Sequence, residues 1–214
     1  VRYETAGSLQ DGKKIWILAK LPDKYIIEGD QIDPYLVFSS SHDGSGSIKV
    51  AMTPIRVVCQ NTLNLAMSTA RRSWSTIHIG DLAAKMDEAH NTLLLAEKYM
   101  GRLGMEFSRL SKIKLSDQKV MEYIDLLLPM DEQPTDIHRK NITRIRDDMK
   151  RRYFDAPDLR HVGKNAYRFI NAVSDYATHA KPLRATANYQ ENMFAKTIEG
   201  NPLIDRAYDL VLAA

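Results

Sequence analysis

The residues that could do chemistry are few and dispersed. The six histidines, His42, His78, His90, His138, His161 and His179, are scattered, and none shows the i, i+4 spacing that puts two imidazoles on one helical face for a metal. The single cysteine, Cys59, can build neither a thiolate metal site nor an internal disulfide. As a nucleophile it would need a base close by, and the neighbouring sequence has none; following Val57 and Val58, it reads as a buried structural thiol. His42-Asp43 has the composition of an acid/base pair, but an Asp before Gly44 more commonly marks a turn. There is no Walker loop and no GxGxxG, and the glycines of GSLQDG and SHDGSGS fall in hairpin turns, not before helices. No catalytic residue, metal site or cofactor is assigned, and an enzyme is the function class with least support.

What remains is basic. ARRSW joins Arg71 and Arg72 to the flat indole of Trp74, the pairing that holds single strands by phosphate contact and base stacking. Residues 73–79 read as a strand, so Arg72 and Trp74 share one side of it, and a base could stack on the indole while Arg72 holds its phosphate. The plainer alternative is that Trp74 is core. In TPIRVVCQNTLNLA, Asn61 or Thr62 is a natural N-cap, and a helix start with Arg56 upstream is a possible anion site. Here the alternative is a simple cap and an Arg56 that pairs with a carboxylate. A third patch lies on residues 136–154, where seven cations (Arg139, Lys140, Arg144, Arg146, Lys150, Arg151 and Arg152) face three aspartates. That stretch carries +4, against +3 for the whole chain; it is either a solvated face or a polyanion contact. The candidate nucleic-acid-binding residues are therefore Arg56, Asn61, Arg71, Arg72, Trp74, Lys140, Arg144, Arg151 and Arg152.

Composition bounds these readings. A chain of 214 residues with 44% hydrophobic content can bury a real core in one large or two small domains. No apolar run approaches the roughly 20 residues of a membrane helix, so no membrane partner is expected. The lone cysteine fits a reducing cytoplasm. A net charge of +3 is too mild for a general cationic coat, so any nucleic-acid contact must be local.

The elements that must position these residues follow an α+β pattern: an N-terminal antiparallel sheet of four to six strands covered by a long helix, then a mostly helical remainder. Residues 1–80 are expected to hold the sheet with a short strand-to-helix insert, and 81–214 the helices that pack on it. Asp11-Gly12 is a hairpin signal, and IWILA at 15–19 is apolar on both faces, as in a covered central strand. Val57 and Val58 read as strand, and Leu63, Ala66, Met67 and Ala70 as one helical face. After Gly80-Asp81, apolar residues at 82, 86, 89, 93, 96, 100, 103, 107 and 110 form an unbroken heptad seam on about 45 Å of helix. Gly101 and Gly104 lie off the seam and suggest a bend or an end near Met100. Later helices are expected from Ser116 to Pro129, from Asp136 to Phe154 with Ile142, Ile145, Met149 and Tyr153 inward, and over 165–179, 187–198 and 202–213.

The blocks YETAGSL, DGKKIWILAKL, PYLVFSSSHDG and RVVCQNTL, with NAVSDYATH near the end, occur in the order found in the phage/plasmid-like protein family, the domain of unknown function DUF932, which the chain resembles. The resemblance implies that about a hundred residues precede the ETAGSL block in members, so the chain corresponds to the C-terminal two-thirds of the family's length and reads as a fragment or processed product. A curved sheet backed by a long helix is also similar to what single-strand annealing proteins use, an architectural analogy that does not establish function. The expected function is a nucleic-acid-binding protein of a phage, prophage or plasmid, with single-stranded DNA the favoured partner, in recombination or replication. The alternative is a non-enzymatic oligomeric interaction or regulatory protein, a homo-oligomer whose heptad helix is the working surface.

Overall fold

A computed structural model describes residues 1–44, 46–58, 62–63, 67, 73–77, 81–182 and 186–213; the side chains at 82, 86, 89, 92–97 and 197–199 lie outside that description. The N-terminal part is a six-stranded antiparallel sheet of β1 (Arg2–Leu9), β2 (Lys14–Lys20), β3 (Tyr25–Ile27), β4 (Asp30–Ser41), β5 (Ile48–Arg56) and β6 (Ser73–Thr76). The order is β1-β2-β4-β5-β6, and β3 continues the β2 column by pairing with the start of β4. The β1–β2 turn uses left-handed backbone at Gln10, Asp11 and Gly12, as the Asp-Gly signal implies.

Period two divides the sheet into two faces. Leu36, Val50 and Met52 point to the main core, with Trp74 beside Val50 on the edge. Trp16, Leu18, Val37 and Ala51 alternate to the other face, where Phe194 meets them. Trp16 lies directly across β1 at Gly7, where even a Cβ would sit 2.7 Å from the indole. β2 is central, paired on both edges, yet it is not covered on both faces: Ile15 and Ile17 stay 39% and 38% exposed.

The helices are α1 (Leu82–Lys112), α2 (Asp117–Leu127), α3 (Asp136–Phe154), α4 (Ala166–His179), α5 (Tyr189–Glu199) and α6 (Pro202–Leu212), with a 3-10 turn at Pro157–Leu159. Side chains cap their open N–H groups: Asp81 accepts from Ala83 and Ala84, Ser116 from Lys119, Thr135 from His138, Asn165 from Arg168 and Asn201 from Leu203. α1 passes through Gly101 and Gly104 without ending; beside Gly104 lies Ile27 of β3. The described C-terminal half of its seam, Met100, Leu103, Phe107 and Leu110, is buried in one cluster with Ile27, Ile32, Leu36, Val50 and Met52. No described helix is long and apolar enough to cross a membrane.

A further sequence expectation is corrected. β5 ends at Arg56, and Val57 and Val58 sit exposed in a turn. Thr62 then bridges antiparallel to Ile55, so the chain folds back along β5 and Thr62 caps no helix. Leu63 and Met67 are not helical but still reach the core, which is what their apolar side chains demand in any backbone form. Cys59, Ala66 and Ala70 fall outside the described residues. α4 is enclosed: it buries every residue from Ala166 to Ser174. It packs against α1, α3 and α6, and a helix surrounded in this way must bury its polar residues too. Their donors go to backbone: Arg168 donates to the carbonyls of Tyr153, Leu159, Val162 and Phe154, Ser174 to that of Thr62 and Asn171 to that of Tyr167.

Burial raises four tyrosine hydroxyls, those of Tyr153, Tyr167 and Tyr208 the most. Tyr153 is pushed from about 10 up to about 12, chiefly by burial and against the pull of Arg168; Tyr167 and Tyr208 also rise, chiefly by burial. These phenols keep their protons in the fold but lose them at an ordinary pH when unfolded. Their contribution to stability is complete below pH 10 and is lost as pH rises towards 12. Alkaline titration should therefore show the last part of the tyrosinate absorbance appearing only together with loss of helical circular dichroism; full ionisation of all ten tyrosines ahead of unfolding would refute this. The buried Tyr153 hydroxyl has no hydrogen-bond partner among the described residues. Tyr153→Phe should thus leave the denaturation midpoint unchanged or raised, whereas a loss above about 1 kcal/mol would reveal a partner.

Candidate nucleic-acid interface

The nine candidate residues do not form one surface. Asn61, Arg71 and Arg72 lie outside the described residues, so the pairing of Arg72 with Trp74 does not enter the geometry. Trp74 is half-buried on β6, packs against the main core, and donates its indole N–H to Glu88 of α1 at 3.2 Å. That is the core alternative, and a carboxylate on the indole is a poor neighbour for a phosphate.

Arg56 is corrected outright: its side chain is 0% exposed. Its Nη2 donates to Asp30 Oδ1 at 2.8 Å and to the Asp158 carbonyl at 2.8 Å, while Nη1 meets the Asp158 carboxylate. Asp30, also fully buried, takes the Tyr167 hydroxyl at 2.8 Å and stands 3.2 Å from Nε2 of half-exposed His161. A phosphate has no route to this guanidinium.

The α3 residues fare differently. Lys140, Arg144 and Arg151 are exposed and Arg152 is half-buried. Positions 140, 144, 148, 151 and 152 recur at helical spacing, so they make one stripe interrupted by Asp148. Its lower end forms a cleft of about 300 Å³ with the end of α4, lined by Arg144, Arg151, Arg152, Tyr176, His179 and Lys181 beside Asp148 and Ile145. Arg152 Nη1 is 2.5 Å from Asp175 Oδ2, and Arg151 reaches Asp148 only at 3.5 Å. Lys140, Arg144 and Lys181 have no ion-pair partner among the described residues. Burial, aided by the Asp148 carboxylate, pushes the Tyr176 phenol up, while Arg152 and Arg144 pull the other way.

Sequence reasoning missed Tyr176 and His179, at the end of α4, and Lys181 just beyond it; a cluster of cations at the end of a predicted helix was the available signal. It also put Arg146 on the solvent face. Arg146 instead turns towards α2, donating to the Leu128 carbonyl at 3.0 and 2.7 Å and pairing with Asp125 at 2.9 Å. A cation there meets the negative end of α2 and also approaches, at 3.5 Å, the Asp125 carbonyl that Pro129 leaves without its i+4 N–H.

Because Asp30 and Arg56 are sealed together, removing one leaves the other charged and dry. Arg56→Met should cost about 3–5 kcal/mol in denaturant unfolding. Asp30→Asn in the Arg56→Met background should recover part of it. A loss below about 1 kcal/mol for the single variant would mean the pair is solvated in solution.

No curated protein and no solved structure matches the chain. A family model does match, across residues 1–197, and by that match the chain belongs to the family described as a domain of unknown function, DUF932.

Proposed function

We propose that the protein binds nucleic acid through the basic stripe of α3 and the α3–α4 cleft. The observation that carries this reading is the convergence of Arg144, Arg151, Arg152 and Lys181 on one cleft, with Asp148 and Asp175 as the nearby counter-charges. Backbone phosphates are held by such clusters whatever the base sequence. Single-stranded DNA is the favoured form, because a cleft of about 300 Å³ takes one nucleotide unit more readily than a duplex groove, and Tyr176 offers a ring at its wall. The likeness of its sequence blocks to phage- and plasmid-borne proteins supports a cytoplasmic role in recombination or replication of a mobile element. In this reading α1 covers the sheet and the DNA lies on the helical side.

An oligomeric interaction protein is the second reading. It rests on the groove between β3 and α1, where Ile26 and Met105 are 69% and 68% exposed beside Gly101 and Gly104.

The test is the salt dependence of binding to a labelled single-stranded oligonucleotide. Arg144→Glu with Arg151→Glu, both on exposed positions, should weaken binding to all sequences alike. Losing two phosphate contacts should flatten the slope of log K against log salt by roughly 1.4. An unchanged slope with unchanged affinity would reduce this face to solvated surface. A Met105→Glu protein that falls from oligomer to monomer in light scattering would then bring the second reading forward.

A further inference from the structure

On the far side of the sheet from the main core lies a second cleft, about 220 Å³, between the strand ends and α5. The register explains its chemistry. Lys14 of β2 pairs with Ser41 of β4, and Ser39 of β4 pairs with Lys49 of β5, so these four side chains share one face at neighbouring positions. The Ser41 hydroxyl is occupied, accepting from the Gly46 N–H at 2.8 Å and donating to the Gly46 carbonyl at 2.9 Å. That clasp holds Ser47 at the rim. The hydroxyls of Ser39 and Ser47 and the ammonium of half-buried Lys14 have no partner among the described residues. The opposite wall is different in kind: Phe194 and Ala195 of α5 are apolar, and Glu191 stands at the edge.

We propose that this cleft binds a small phosphate monoester with a flat apolar body, as in a nucleoside monophosphate. Lys14, Ser39 and Ser47 offer more donors than the two oxygens of a carboxylate use, and they suit the three oxygens of a phosphate. The phosphate lies on the strand side, the flat body rests against Phe194, and Glu191 accepts from a hydroxyl or amino group of the ligand. Phe194 is already held in place by Trp16, with ring centroids 5.8 Å apart, so the wall is preformed. The site is separate from the α3–α4 cleft and does not rest on the reading given to it.

Calorimetric titration of the whole chain with adenosine monophosphate, adenosine and inorganic phosphate tests the assignment. Saturable binding of adenosine monophosphate is expected, with the two fragments each weaker by about tenfold or more. Lys14→Gln should weaken the monophosphate by about tenfold, as for loss of one charged hydrogen bond. Ala195→Leu, which fills the cleft, should abolish it, while Arg144→Glu with Arg151→Glu should leave it unchanged. Each variant is checked by circular dichroism; should Ala195→Leu not fold, the Lys14 comparison decides. Absence of saturable binding, or an affinity that Lys14→Gln leaves untouched, overturns the proposal, as does loss of binding in the α3 variant alone.

Discussion

The pairing of Asp30 with Arg56, out of contact with water, is the constraint on which the arrangement of sheet and helices turns. Two charges so placed are tolerable only when geometry supplies what hydration would. Here the guanidinium fork meets carboxylates on both sides and a backbone carbonyl, and the Asp30 carboxylate takes the Tyr167 hydroxyl as well. The partners come from the start of β4, the end of β5, the 3-10 turn and α4. A slip of the helical part against the sheet by even a residue would strand a charge in an apolar interior. Apolar packing around Phe107 and Tyr167, whose rings meet edge to face at 5.1 Å, would tolerate some rearrangement; the ion pair would not.

The same chemistry divides the arginines into two populations. Arg56, Arg146 and Arg168 spend their donors on the protein: a buried pair, the end of α2, and the carbonyls around the α3–α4 junction. Arg168 does so fully lashed to neutral carbonyls and stacked on Tyr153, with its guanidinium 5.3 Å from the ring centroid. Arg144 and Arg151 face water. A charge count along the sequence sees one class, which is why the stretch from 136 to 154 looked more uniformly solvated than it is. The interface that survives is narrower than the basic run and gains Lys181 and Tyr176 from outside it.

What could be read from the chain alone was mostly local. The helix starts after Gly80-Asp81, at Ser116 and near 165 and 202, and the Asp-Gly hairpin, depend on neighbouring residues only, and they are where the spacing put them. The antiparallel sheet and the later helix ends were legible for the same reason. The errors fall where distant residues decide. Val57 and Val58 have strand propensity, but β5 stops when Arg56 turns inward to Asp30, and tertiary pairing overrides preference. Nothing local announced that α1, α3 and α6 would enclose α4 and bury Arg168, Asn171 and Ser174 with it. For the candidate site, the stripe on α3 was visible, and the second wall, built by another helix, was not.

The joint between sheet and helices also orders events on the ribosome. Asp30 and Tyr167 are 137 residues apart, and Arg56 waits 102 residues for Asp158. All six strands emerge while their central carboxylate still lacks the hydroxyl and turn that will enclose it. At ordinary elongation rates that interval lasts roughly ten seconds. During it the sheet lacks the helices that will pack on it, so the nascent chain depends on their arriving, or on a chaperone, before another strand can claim β6, where the described strand order ends.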